Sequence, residues 1–90
     1  MFPPNRFTKV RLRVENYLLN EILEQMGSYA SSRKDFDDPR FFIINATVGI
    51  NKQFYLWLMR YGEGVEILSP KDVRDEFTEL LQIIFEKYSE

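Results

Sequence analysis

Three places along this chain bring together side chains that could do chemistry. Lys9, Arg11 and Arg13 alternate through an apolar run, which puts three cations on one side of an extended segment. Such a row suits an anion, an acidic surface or nucleic acid. Asp35, Asp37 and Asp38 crowd one loop, where a hard cation could find carboxylate oxygens. Their spacing fits no EF-hand loop and Pro39 follows at once, so turn chemistry describes them better than a metal site. Gly62-Glu63-Gly64 is a glycine pair leading into a strand and not into a helix N-terminus, which makes it a turn and not a phosphate cradle.

The missing residue types narrow the chemistry further. The 90 residues include no histidine and no cysteine, which excludes His-dependent triads, thiol nucleophiles and the usual zinc sites. No two acids stand out as a pair fixed across a cleft, as glycoside hydrolysis would need. No enzyme, no metal and no cofactor are therefore expected. Net charge is −2, so no global field draws the chain to nucleic acid or to an anionic membrane. No apolar run approaches the roughly 18–20 residues of a membrane span. There is no basic start followed by an apolar core, as a secretory signal would have, and the lack of cysteine fits a reducing compartment. A cytoplasmic protein with no membrane contact is the expectation.

The elements that must position these residues follow from periodicity. Residues 1–6, with Pro3-Pro4, have no pattern and are expected to be a tail or linker remnant; residues 7–90 form one domain. Phe7 to Val14 is a strand, with Val10, Leu12 and Val14 on the buried face and the three cations on the other. A helix follows, capped by Asn16, striped by Leu19, Ile22, Leu23 and Met26, and stopped at Gly27. Ser28 to Arg33 is an edge strand joined through the aspartate turn to the strand Arg40 to Val48. There Phe42, Ile44, Ala46 and Val48 line one face while Phe41 and Ile43 make the other apolar as well, the mark of a strand covered on both sides. Asn51 caps a second helix that runs to Tyr61, with Trp57 anchoring it to the sheet and Gly62 stopping it. Val65 to Leu68 is a short strand. Ser69 then caps the last helix, Pro70 takes its first position and Asp72 acts as the capping-box acid.

The order β-α-β-β-α-β matches an α+β, ferredoxin-like fold: a four-stranded antiparallel sheet with two crossover helices on one face. The additional C-terminal α-helix could shelter Phe41 and Ile43 on the other face, or a second subunit could. Charge is uneven too, since the start is basic and the last helix carries Asp72, Asp75, Glu76, Glu79, Glu86 and Glu90. That polarity fits self-association, and it fits plain solvated faces. The candidate functional surface is the sheet face of Lys9, Arg11, Arg13, Phe41 and Ile43. RNA-recognition domains use such a face, although the glycine- and aromatic-rich submotif is missing from RFFIINATV.

Trp57-Leu58, Tyr61-Gly62, Val65-Glu66-Ile67-Leu68, Pro70 and Val73, ahead of an amphipathic helix ending near Tyr88, resemble the C-terminal extension of WYL-domain bacterial transcriptional regulators. Trp57, Gly62 and Pro70 are the structural signature of the likeness, which spans about Phe7 to Tyr88. The chain departs from the whole family in lacking a helix-turn-helix and a WYL domain, and Tyr55-Leu56-Trp57 is not the namesake motif. The resemblance implies a domain of a longer regulator whose partners are the N-terminal WYL and helix-turn-helix domains. It also implies a homodimer, and help in sensing an effector such as a nucleotide or nucleic acid, with specific DNA binding done elsewhere. The alternatives left open are a stand-alone module that binds an amino acid or nucleotide, and an RNA-binding sheet.

Overall fold

The computed structural model describes residues 6–27 and 30–89. The Pro3-Pro4 tail and the Ser28-Tyr29 start of the expected edge strand lie outside the described residues. Seven main elements follow in chain order: β1 (Arg6–Glu15), α1 (Leu19–Met26), β2 (Ser31–Lys34), β3 (Phe41–Ile50), α2 (Lys52–Met59), β4 (Val65–Ser69) and α3 (Lys71–Tyr88). Arg6 therefore belongs to β1 and not to a tail. The fold is α+β, with one four-stranded antiparallel sheet in the order β2-β3-β1-β4 and, among the described residues, three α-helices.

The long β1/β3 ladder sets the register of everything else. Val10 faces Ala46, Leu12 faces Ile44 and Val14 faces Phe42, so the two central strands present one continuous apolar face. That face carries the core. Val10, Leu12, Val14, Ile44 and Ile50 are buried together with Ile22 of α1, Phe54, Tyr55 and Leu58 of α2, and Val73 of α3. All three helices thus share one core, built from the sheet positions that alternate inward.

Helix ends explain where the chain turns. Asn51 accepts a hydrogen bond from the Phe54 amide at 3.0 Å through Oδ1, a side-chain cap at the start of α2. Gly62 lies just beyond the end of α2 at φ 58°, a left-handed backbone that other residues adopt only with strain. The other two expected caps are not made. Asn16 donates through Nδ2 to the Pro39 carbonyl and through its amide to the Arg40 carbonyl, tying the end of β1 to the start of β3. Ser69 is the last residue of β4, and Pro70, after a cis peptide bond, sits at the N-cap of α3 in extended backbone. Asp72 is drawn sideways to Arg6 at 3.5 Å instead of back to the cap.

Tyr55, and not Trp57, is the anchor of α2. Tyr55 is fully buried, stacks on Phe77 with ring centroids 5.6 Å apart, and donates its hydroxyl to Glu76 at 2.6 Å. Glu76 also accepts from Arg6 at 3.0 Å, so one carboxylate joins β1, α2 and α3. Burial, then the hydrogen bond to Glu76 and its charge, push the Tyr55 phenol well above its ordinary value and keep it a donor. Trp57 is half-buried at the rim, edge-on to Tyr61 at 5.5 Å.

Candidate sheet-face site

The alternation that buries Leu12 and Val14 turns Arg11 and Arg13 to the opposite face of β1. The ladders then decide their neighbours. Arg13 faces Ile43 of β3, and Ile43 in turn faces Arg33 of β2. On the other side the β1/β4 register shifts between Arg11 and Leu12: Arg11 faces Ser69, Leu12 faces Ile67, and Leu68 is left as the extra residue of a bulge. The result is a concavity of about 490 Å³ lined by Arg11, Arg13, Arg33, Asp35, Phe36, Asp37, Ile43 and Leu68.

Among the described residues, no helix contributes to this lining. Ile43 is nonetheless only 5% exposed, with Arg13 and Arg33 as its cross-strand neighbours on either side. Arg13 is the fixed member. Its Nε donates to Asp35 Oδ2 at 2.7 Å, and its guanidinium lies 4.5 Å from the centroid of Phe41. Phe41 also has the Arg40 guanidinium 5.4 Å from its ring centroid, so two cations engage one ring. Arg11 and Arg33 are exposed and loosely held. Arg11 reaches Asn45 Oδ1 at 3.4 Å, and Arg33 lies 5.9 Å from the exposed Phe36 ring.

Of the five residues expected here, Arg11, Arg13 and Ile43 line the concavity and Phe41 lies under Arg13. Lys9 is exposed further along β1, opposite Thr47, outside the lining. Sequence reasoning missed Arg33, Phe36 and Leu68. Arg33 becomes visible only through the β2/β3 register, and Leu68 only through the bulge. The arginines do not pair with the acidic last helix: Arg13 takes Asp35, and α3 takes Arg6. Trp57, Gly62 and Pro70 lie away from this face and serve packing and chain reversal.

The aspartate loop is a closed turn. Asp35 Oδ1 accepts from the Asp37 amide at 2.9 Å, and Asp38 Oδ1 accepts from the Arg40 amide at 3.0 Å. The Arg40 guanidinium closes on both oxygens of Asp38, at 3.1 and 2.7 Å. That fork, helped by the Arg40 amide, lowers the Asp38 carboxyl to about 2. No cluster of three or more metal-type ligands occurs among the described residues. Among them, too, no helix is long and apolar enough to cross a membrane.

Three guanidinium groups against two carboxylates, with an aromatic ring and two aliphatic side chains between them, can hold a small anion or a planar anionic group. Comparison with known proteins gives one family: the model of the WCX domain matches residues 6–84. No curated protein and no solved structure matches the chain.

Proposed function

This chain belongs to the WCX domain family, the C-terminal extension of WYL-domain transcriptional regulators, and on that premise we propose that it is a regulatory and dimerisation domain that contributes to effector sensing. DNA is held by other parts of the parent regulator, catalysis has no role, and the setting is the cytoplasm. The family match over residues 6–84 carries the regulatory part. The sensing part is supported by the open-face concavity, whose free cations Arg11 and Arg33 lie beside Phe36 and Leu68. Its chemistry favours an anionic, partly planar effector such as a nucleotide or a short nucleic acid. The interleaved β2-β3-β1-β4 order, in which each crossover helix joins two strands with one other strand between them, supports reading the scaffold as ferredoxin-like.

Fluorescence anisotropy with a labelled single-stranded oligonucleotide, competed by mononucleotides, tests the sensing part. Saturable binding that weakens with salt and is lost in R11E/R33E is expected. Flat anisotropy at low salt would sink it. Light scattering across a wide concentration range tests dimerisation. A sheet that stacks bases as RNA-recognition domains do is disfavoured by Phe41, whose ring is already engaged by Arg13 and Arg40.

A further inference from the structure

The last helix is longer than the strand that leads into it. Its 18 residues span about 27 Å, whereas the five residues of β4 span about 17 Å. Val73 is buried, and Phe77 and Leu80 pack on the core. Leu81 is the last α3 residue to border β4's side of the molecule, at a groove of about 350 Å³ shared with Val65, Ile67 and Phe77. Beyond it the apolar stripe continues without a floor. Leu81 is 43% exposed, Phe85 66% and Tyr88 87%.

At 3.6 residues per turn, Leu81, Ile84, Phe85 and Tyr88 extend the face of Val73, Phe77 and Leu80. The acids of the helix lie elsewhere: Asp75, held by Lys71 at 2.7 Å, and Glu79 and Glu86 fall roughly 130–170° away from the centre of that stripe at about 100° per residue. Two such stripes can therefore meet without the acids of α3 opposing one another, and Glu66 at the groove is already held by Arg74 at 3.2 Å. The basic sheet face is a poorer match, because a helix laid on it by this stripe would point its acids at solvent.

We infer that the C-terminal half of α3 pairs antiparallel with the same segment of a second copy, about a twofold axis at Leu81. This rests on the dimerisation reading and specifies its surface. The register follows from the axis. Leu81 meets Leu81, Phe85 of each copy lies over Phe77 of the other, and Tyr88 reaches Arg74, ring against guanidinium. The two copies close each other's grooves beside β4, and the contact is isologous, so it stops at a dimer. Phe85 and Tyr88, with Leu81, Ile84 and the groove lining, offer on the order of 600 Å² per copy, close to the roughly 800 Å² per partner of a standard interface.

The test uses light scattering and the absence of cysteine in the chain. The unaltered chain is expected to be a dimer. F85D/Y88D should raise the dimer dissociation constant roughly a hundredfold, as loss of two anchor aromatics does. Circular dichroism of that variant should be unchanged, since both side chains stand off the body. R11E/R33E should remain dimeric. Leu81→Cys should be bridged between copies by a short bismaleimide, while Glu79→Cys on the far side of the helix should not. A chain that stays monomeric at high concentration overturns both the dimerisation reading and this surface. A dimer that survives F85D/Y88D, or one bridged equally well through position 79, keeps the dimer and overturns the α3 pairing.

Discussion

Arg40 forks onto both carboxylate oxygens of Asp38 at 3.1 and 2.7 Å, and the consequence is a pH dependence with a definite sign. The folded carboxyl lies at about 2, below its ordinary 3.8. A depressed carboxyl stabilises the fold above its unfolded value and loses that contribution as pH falls from about 4 through 2. The Asp38 carboxyl resonance should titrate near 2 in the intact chain and return toward 3.8 in Arg40→Ala. Because the pair is exposed, added salt should raise the midpoint in the intact chain. An Asp38 midpoint near 4 without salt would mean the fork is not held in solution. Gly64 carries the other residue-scale prediction. A Cβ there would meet Leu18 Cδ1 at 2.5 Å and the Glu15 carboxylate at 3.2 Å, while at Gly49 the nearest atom is a Phe7 ring carbon at an ordinary 3.5 Å. Gly64→Ala should cost about 1–3 kcal/mol by overpacking, read from the urea midpoint, and Gly49→Ala far less.

Elements were legible where a local rule decides and were misread where a distant residue competes. Asn51 is a cap because its partner is local, the Phe54 amide three residues on. Asn16 has the same local credentials, yet the β1/β3 ladder brings Pro39 and Arg40 beside it and claims its side chain and amide. Asp72 loses its capping role to Arg6 in the same way. Tyr55 and Trp57 show the limit of periodicity: both are aromatic residues on a mostly apolar helix, and the long-range partners on α3, Phe77 for the ring and Glu76 for the hydroxyl, go to Tyr55. Asn51→Ala should therefore cost about 1 kcal/mol in stability. Tyr55→Phe, which keeps the ring and removes the donor to Glu76, should cost about 1.5–3 kcal/mol, and Tyr55→Ala about 3–5 kcal/mol. Equal losses for Phe and Ala would mean that the hydroxyl, and not the packed ring, secures α2.

At the scale of the whole molecule the pattern of Phe41 and Ile43 promised a covered second face, and what lies there is the Arg13 guanidinium over Phe41, with Arg13 and Arg33 flanking Ile43. An apolar position signals that something lies over it and is silent on whether that is a helix or a neighbouring side chain. The same ambiguity sends α3 to the core face, where Val73, Phe77 and Leu80 complete the cluster around Tyr55. Its free end is then separable from the fold. Removing residues 82–90 takes away Ile84, Phe85 and Tyr88 while leaving every α3 side chain of the core cluster. The shortened chain should unfold cooperatively with a loss of at most about 1–2 kcal/mol, a fall in Tm of roughly 4–8 °C per kcal/mol for a domain this size. If the free end forms a dimer surface, the unaltered chain has a Tm that climbs with concentration, because mass action favours the associated folded state. The shortened chain should show a Tm independent of concentration. Thermal scans of both chains over a hundredfold concentration range separate the two contributions: a drop at low concentration reports packing within one copy, and the slope reports association. A shortened chain that no longer unfolds cooperatively would place the last two turns of α3 inside the fold's own stability.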